Sequence, residues 1–499
     1  MRAQRSSTWI AWALAVLFVA TSLSRLVPVC LDQLAAPFDL ISEGPHMCTV
    51  KAIETGSNIY DSRSFLDLPF FMTPYTPLYH VLVAALPQHP ENPFFTGRVV
   101  AALFMIAAAA SLLVVAGRGQ RATAAIAVAA FFLIRPVTGN TAYLRSDSMA
   151  LCWSAWAVVL AARARAPRAV LATGALCALA VAAKQSFLAA PVACVVYYLL
   201  TDRRRLGWLV LAGTVVGAAC GLAAWAYWGN GFWLAVTIPV TDYPRDIESF
   251  FLHWHMMFAQ PIFVFLLVTA AVVTAASLAR ERGAALGTPF FAYMLLSWTL
   301  QTWVMTGVGA ENHNLIEPVL ATLLWIVVVA RRYRESVRID WPWALAVAAL
   351  GFCVALEMRN PDRFSYSYTT AAKTARYVRA RTAVEGALHT LGVDHGRMLN
   401  LKNSQVVHDF AGEMAVNDVW MYITVLWNSR PETADRLIHA IEAEHFDAIF
   451  TSPGVVSAAH DPGQGPWARI VRTVFAHYAL AYHGEEVNVL TRRRIGLAS

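Results

Sequence analysis

The reading begins at residues 8–29, TWIAWALAVLFVATSLSRLVPV, and continues through residues 30–76, CLDQLAAPFDLISEGPHMCTVKAIETGSNIYDSRSFLDLPFFMTPYT. The first stretch is as long and apolar as a bilayer-crossing helix, which needs about 20 such residues. It follows the basic opening MRAQR. No convincing small-x-small cleavage site precedes Pro28, and the run outlasts a usual signal-peptide core, so a retained signal-anchor helix is expected. The second stretch is polar and acidic, with Asp32, Asp39, Glu43, Glu54, Asp61 and Asp67 against Lys51 and Arg63. One spanning helix feeding a long acidic loop points to a polytopic membrane protein.

The rest of the chain extends that reading. Of 499 residues, 58% are hydrophobic and 14% charged, with mean hydropathy +0.49. Soluble domains carry about a quarter charged residues. Disordered, collagen-like and ordinary soluble classes are excluded. Apolar runs at 8–29, 94–116, 121–136, 148–163, 168–184, 186–201, 206–228, 257–279, 288–307, 314–330 and 341–358 predict about eleven spans. The run 77–86 is too short to cross and is placed as an interfacial or re-entrant helix.

Charge gives an orientation. Arg2, Arg5, Arg118, Arg121, Arg163, Arg165, Arg168, Arg203, Arg204, Arg205, Arg280, Arg282, Arg331, Arg332, Arg334 and Arg338 fall in or beside alternate loops. The opposite loops hold Lys51, Arg63, Arg98, Arg135, Arg145, Lys184 and Arg245. This asymmetry predicts a cytoplasmic N-terminus and an outer C-terminal part. Residues 360–499 carry 14 basic and 14 acidic residues, so the net +7 belongs to residues 1–359. Arg clusters in short loops between apolar runs argue against a nucleic-acid partner. The expected architecture is an α-helical membrane domain over 1–359, with a first outer loop at 30–93, and a small extracytoplasmic α/β domain over 360–499.

The order Asp39-x-x-x-Glu43-Gly44, Gly56-x-x-x-Tyr60, Tyr75-Thr76-Pro77-Leu78-Tyr79 resembles the opening of GT-C glycosyltransferases. It is most similar to the bacterial branch related to protein O-mannosyltransferases and aminoarabinose transferases. Arg145-Ser-Asp147 matches a second acidic position of that branch in the next outer loop. Gly309-Ala-Glu-Asn312-His-Asn314 ahead of Pro318 resembles its Gly/Asn segment opening a late helix. FDAIFTSPG, Phe475-Ala-His-Tyr478 and VNVLTRR resemble its small outer domain. The resemblance implies a multi-pass inner-membrane enzyme that takes a sugar from a polyprenyl-phosphate donor to an outer acceptor, with inversion. Some relatives carry adjacent acidic residues where Asp39 and Glu43 are separated.

The chemistry asks for few groups. A polyprenyl phosphate is already a good leaving group, so a general acid is dispensable. An acceptor hydroxyl needs one carboxylate as base, and the departing phosphate needs cations or oriented donors. Asp39 is the base candidate, with Glu43 in support. Lys184 and Arg145 are the phosphate-clamp candidates, and the competing reading is snorkelling to headgroups or an Arg145–Asp147 surface pair. Asp147, Tyr75 and Asn312 are the acceptor or supporting candidates. Helix capping is an equal claim on Asn312, His313 and Asn314.

No cofactor is required by this scheme. His46 near Glu43, and His253 with His255, are weak hints of a divalent metal; two His at i and i+2 do not share a helical face. Cys30 and Cys48 fit either a bridge or two free thiols. In the tail, 368–391, 432–445 and 466–481 read as helices and 397–401, 446–450 and 487–491 as strands, without a nucleotide-binding motif. The acceptor is open between protein, lipid and polysaccharide. A transporter or a non-catalytic envelope-assembly protein is the rival class. Against a transporter stand the lack of an inverted repeat, of an acidic residue deep in a span, and the long outer loop.

Overall fold

Backbone polar groups that leave water must pair within their own segment, and long Ala/Leu/Val/Phe runs meet that demand as helices. The computed structural model describes residues 2–40, 43–117, 120–281, 286–307, 312–336, 371–393, 395–401, 413–452, 465–485 and 487–493. Its helices are α1 (Arg2–Ala35), α2 (Gly44–Glu54), α3 (Ser62–Leu66), α4 (Leu78–Ala84), α5 (Phe95–Ala116), α6 (Arg121–Leu133), α7 (Arg135–Asn140) and α8 (Asp147–Arg163). They continue as α9 (Pro167–Ala183), α10 (Ala189–Thr201), α11 (Arg203–Trp228), α12 (Gly231–Thr241), α13 (Ile247–Phe258), α14 (Pro261–Glu281), α15 (Pro289–Val304) and α16 (Ile316–Ser336).

Ten of the expected spans fall on these helices; the eleventh, 341–358, lies outside the described residues. Five helices among the described residues are long and apolar enough to cross a membrane: Trp12–Ala35, Phe95–Ala116, Arg203–Trp228, Pro261–Ala279 and His313–Arg332. Shorter apolar helices cover Arg121–Leu133, Pro167–Ala183 and Ala189–Thr201. Their outward faces carry bare apolar side chains, Leu103, Val215 and Val272 among them, as a lipid-facing layer does. Small residues let neighbours close in. A Cβ on Gly174 of α9 would stand 2.4 Å from the Leu209 carbonyl of α11, a backbone-to-backbone approach of the kind that packs membrane helices.

The run 77–86 forms only the seven-residue α4. Between α11 and α14 the chain forms α12 and the amphipathic α13.

The described tail begins with α17 (Ala371–Leu391), followed by β1 (Arg397–Asn400), β2 (Glu413–Ala415), α18 (Pro431–Glu442), β3 (Ala448–Thr451), α19 (Pro466–His477), β4 (Tyr478–His483) and β5 (Asn488–Arg492). The strands make one mixed sheet, ordered β2-β1-β3-β5-β4. β1 runs parallel to β2 and β3, while β5 pairs antiparallel with β3 and β4. The helix expected over 466–481 stops at His477 and the chain turns into β4. Tyr478 is the cause: its buried hydroxyl donates to the Phe446 carbonyl at 3.0 Å and accepts from the Phe446 amide at 3.2 Å. That tertiary anchor, with pairing to β5, outweighs the local helix preference.

The tail does not stand apart from the first outer loop. Phe65, Phe70 and Met72 share a core with Tyr422, Trp427 and Leu437. Asn417 brackets Met72, accepting from its amide and donating to its carbonyl, both at 2.9 Å. The loop is thereby fixed from outside by the sheet unit and from below by the helices.

Candidate active site

Helix direction assembles the site. α8 and α9 form an antiparallel hairpin, so the start of α8 and the end of α9 lie at one end of the helical layer. Asp147 opens α8 and Lys184 caps α9. A carboxylate at a helix N-terminus and a cation at a C-terminus each suit the helix dipole. Lys184 Nζ donates to Asp147 Oδ1 at 2.6 Å, with 7% and 11% of the two side chains exposed. His313, in the turn Asn312–Leu315 ahead of α16, adds Nε2 at 3.9 Å from the same oxygen. Its Nδ1 lies 2.6 Å from Arg145 Nη1. Arg145, Asp147, Lys184 and His313 therefore form one buried corner.

Tyr75 is the wall of that corner. Lys184 Nζ sits 5.5 Å from its ring centroid, within cation–π range. Tyr60 holds the loop in place by donating its hydroxyl to the Tyr75 carbonyl at 2.5 Å. Gln185, next to Lys184, donates to the Pro74 carbonyl at 2.6 Å.

Asp39 and Glu43 lie just ahead of α2. Pro45 is in the first turn of that helix, where its missing N–H costs nothing, so the two acids precede the helix and do not share a helical face. Asp39 Oδ1 accepts from the Glu43 amide at 2.8 Å. Asp39 is 1% exposed. Burial first, and the Glu43 carboxylate second, push its pKa up to about 7.

Glu43 is wholly buried against Arg98 of α5. Its Oε1 accepts from Arg98 Nε at 3.0 Å and from the Leu144 amide at 2.7 Å. Its Oε2 accepts from Arg98 Nη2 at 2.5 Å and from the Leu40 amide at 3.1 Å. Arg98 also donates to the carbonyls of Gln33 and Phe38, each at 2.7 Å, and to that of Ala36. This knot joins the end of α1, the Asp39 loop, α5 and the strand of chain leading to Arg145. Gly97 leaves the space: a Cβ there would sit 2.5 Å from the Leu144 side chain.

The structure thus brings Arg145, Asp147, Lys184 and Tyr75 together and links Asp39 to them through Glu43 and Leu144. Asn312 is in the same turn as His313. In the sequence Arg98 reads only as an outer-loop cation; its signal is a lone charge inside the apolar run NPFFTGRVVAALF. Glu317 is 1% exposed in the first turn of α16 and is bonded by Gln301 Nε2 at 3.0 Å; it stands at the start of that helix, not deep within the span. Cys30 and Cys48 are half-buried and no disulfide joins them.

Beside the corner, a groove of about 770 Å³ runs along α9, α10 and α11 from Thr76, Pro77 and Leu78 to Tyr227 and Trp233. Its walls are almost entirely apolar.

The helical layer, its folded outer loop and the sheet unit share their fold with two kinds of solved structure. The aminoarabinose transferase ArnT from Cupriavidus metallidurans, bound to undecaprenyl phosphate, superposes with TM-score 0.58 over 98% of this chain and 98% of that one, at 13% identity. The oligosaccharyltransferase AglB from Archaeoglobus fulgidus, in complex with an inhibitory peptide and a dolichol-phosphate, gives TM-score 0.54 over 98% of this chain and 75% of that one, at 10% identity. No family model and no curated protein matches the sequence.

Proposed function

We propose that this protein is a plasma-membrane glycosyltransferase that moves a hexosyl or pentosyl group from a polyprenyl-phosphate donor to an acceptor hydroxyl outside the cytoplasm, with inversion. The observation that carries the reading is the meeting, at one end of the helical layer, of a buried carboxylate poised near neutrality with a corner of cations beside an apolar groove. The two likened structures hold polyprenyl phosphates, which supports the same donor class here.

In this reading the isoprenoid chain lies in the groove of α9–α11 and its phosphate enters the corner of Lys184, Arg145 and His313. The acceptor hydroxyl approaches Asp39. As its oxygen bonds to the anomeric carbon, the bond from that carbon to the phosphate oxygen breaks. The electron pair leaves on the phosphate and the hydroxyl proton passes to Asp39. Lys184 and Arg145 stabilise the charge that develops on the leaving oxygen. Asp147 holds Lys184 in position. No metal is assigned a step, because the one carboxylate in the corner already engages Lys184 at 2.6 Å.

Transfer of radiolabelled sugar from a polyprenyl-phosphate donor, by wild-type and Asp39→Asn protein, tests the proposal. The variant should bind the lipid normally and turn over on the order of 10²–10⁴ times more slowly. Unchanged turnover would remove Asp39 from the reaction. Lipid-dependent transport without transfer would favour the rival class.

A further inference from the structure

A pair of buried histidines stands beside the corner and has no part in the scheme above. His46 lies on α2 and His80 on α4. Their rings are nearly parallel, with 11° between planes and centroids 5.1 Å apart, and they meet edge to edge, His46 Nδ1 lying 2.8 Å from His80 Nε2. On its other side His46 stacks on Tyr75 at 5.0 Å and 14°, the ring that also receives Lys184. His80 is fully enclosed and His46 is 6% exposed. His80 Nδ1 is buried without a hydrogen-bond partner among the described residues.

The pair has a simple proton inventory. Burial drives His80 down to about 3. Burial, His80, and the nearby Arg145, Lys184 and His313 drive His46 well below its ordinary value. At neutral pH the two rings together hold two N–H donors and two bare nitrogens. Their shared bond uses one of each, and two arrangements remain.

If His46 Nδ1–H donates, His80 is left with a buried, unpartnered N–H, and the other His46 nitrogen, Nε2, is bare on a ring whose neighbours include Arg145, Lys184 and His313. If His80 Nε2–H donates, His80 keeps only a bare nitrogen, and His46 presents Nε2–H to the site. An orphaned buried N–H is the rarer and costlier outcome of the two. The cations oppose the second arrangement while the corner is empty. An anionic phosphate oxygen removes that opposition and rewards the donor.

We infer that His46 is a phosphate-binding hydrogen-bond donor of the corner, through Nε2–H, and that His80 is the positioning residue that fixes this tautomer. The inference rests on the reading that the corner takes a polyprenyl phosphate. The N–H of His46 then joins Lys184, Arg145 and His313 around the phosphate, and binding of lipid phosphate is coupled to the tautomer of a ring pair behind it.

The test uses the full chain in lipid nanodiscs, ¹⁵N-labelled at histidine, titrated with undecaprenyl phosphate. In the loaded wild type, His46 should show a protonated Nε2 and a bare Nδ1. Loss of a hydrogen bond to a charged oxygen predicts that His46→Phe weakens binding by about tenfold or more. His80→Phe should weaken it less and shift the His46 tautomer. His80→Gln, whose amide can donate to His46 Nδ1, should recover both affinity and tautomer. His46→Gln serves if His46→Phe fails to fold, and should bind better than an apolar replacement. Wild-type affinity in a folded His46→Phe protein, or a bare His46 Nε2 in the loaded state, would overturn the inference. If wild type does not bind the lipid, or Lys184→Met and Arg145→Met bind as well as wild type, it is the donor-site reading that fails.

Discussion

Two buried acid–base pairs sit within one end of this molecule, and they are built to opposite specifications. In the Glu43–Arg98 pair every group is used. The carboxylate accepts four hydrogen bonds and the guanidinium gives all five of its donors, to Glu43 and three carbonyls. In the Asp147–Lys184 pair one carboxylate oxygen meets one ammonium, and two of the three Lys184 donors have no protein partner among the described residues. A saturated pair has nothing left to offer a ligand and serves as a joint. An unsaturated pair stores binding capacity at the cost of its own desolvation. Exposure and charge alone do not separate the two; the count of satisfied donors and acceptors does.

Breaking the joint should have the largest effect. Arg98→Met leaves the Glu43 carboxylate without its countercharge and three carbonyls unpartnered in a dry interior, a change worth about 3–5 kcal/mol. Glu43→Gln should cost less, because its amide retains one acceptor oxygen. Thermal unfolding in detergent is the measurement: Arg98→Met should melt well below wild type or fail to accumulate. A stable, inactive Arg98→Met protein would move this pair into the chemistry and erase the distinction.

Asp39, which accepts from the Glu43 amide, separates joint from chemistry by its pH response. Its pKa is pushed up to about 7 by burial and by Glu43. A base must be deprotonated to act. Turnover should therefore be flat above about pH 7 and fall about tenfold for each unit below it. Asp39→Asn should lie far below that curve and show no such limb. A wild-type profile that stays level down to pH 5 would mean that Asp39 does not ionise in the reaction.

Lys184→Met comes next. It removes the unsaturated cation and leaves the fold supported by the knot. The donor KM should rise by about tenfold, from loss of one charge-assisted contact, with a smaller fall in kcat. Asp147→Asn should raise KM less, because it loosens Lys184 without removing it. Equal effects of the two on melting temperature, with no change in KM, would make this pair a second joint.

Much of this was legible in the sequence, and the limits have physical causes. Run length and Arg placement mark α1, α5 and α11 because lipid imposes both. The first-loop acids, Arg145 and Lys184 are visible because charges are scarce on that side. Saturation is not visible. Glu43 and Asp147 look alike as letters, and only Leu40, Leu144 and Arg98 converging from three segments make one of them a joint. His46 and His80 are 34 residues apart and on different helices, so no spacing rule pairs them. The end of α19 at His477 was hidden for the same reason: Tyr478 answers to Phe446, not to its chain neighbours.

The smallest effect expected is that of a chelator, and it bears on the same contrast. An unsaturated carboxylate beside a histidine can hold a divalent cation, and Asp147 with His313 at 3.9 Å is such an edge. Lys184 Nζ occupies it at 2.6 Å. A cation placed there would have to displace the ammonium or share a corner with it and with Arg145, a repulsion that costs more than one carboxylate returns in a site of low dielectric. Transfer activity should therefore be unchanged within about twofold by EDTA. Complete loss, restored by one divalent metal and not by others, would mean that the loaded site rearranges to free Asp147, and that the spare capacity of this pair serves a metal before it serves a phosphate.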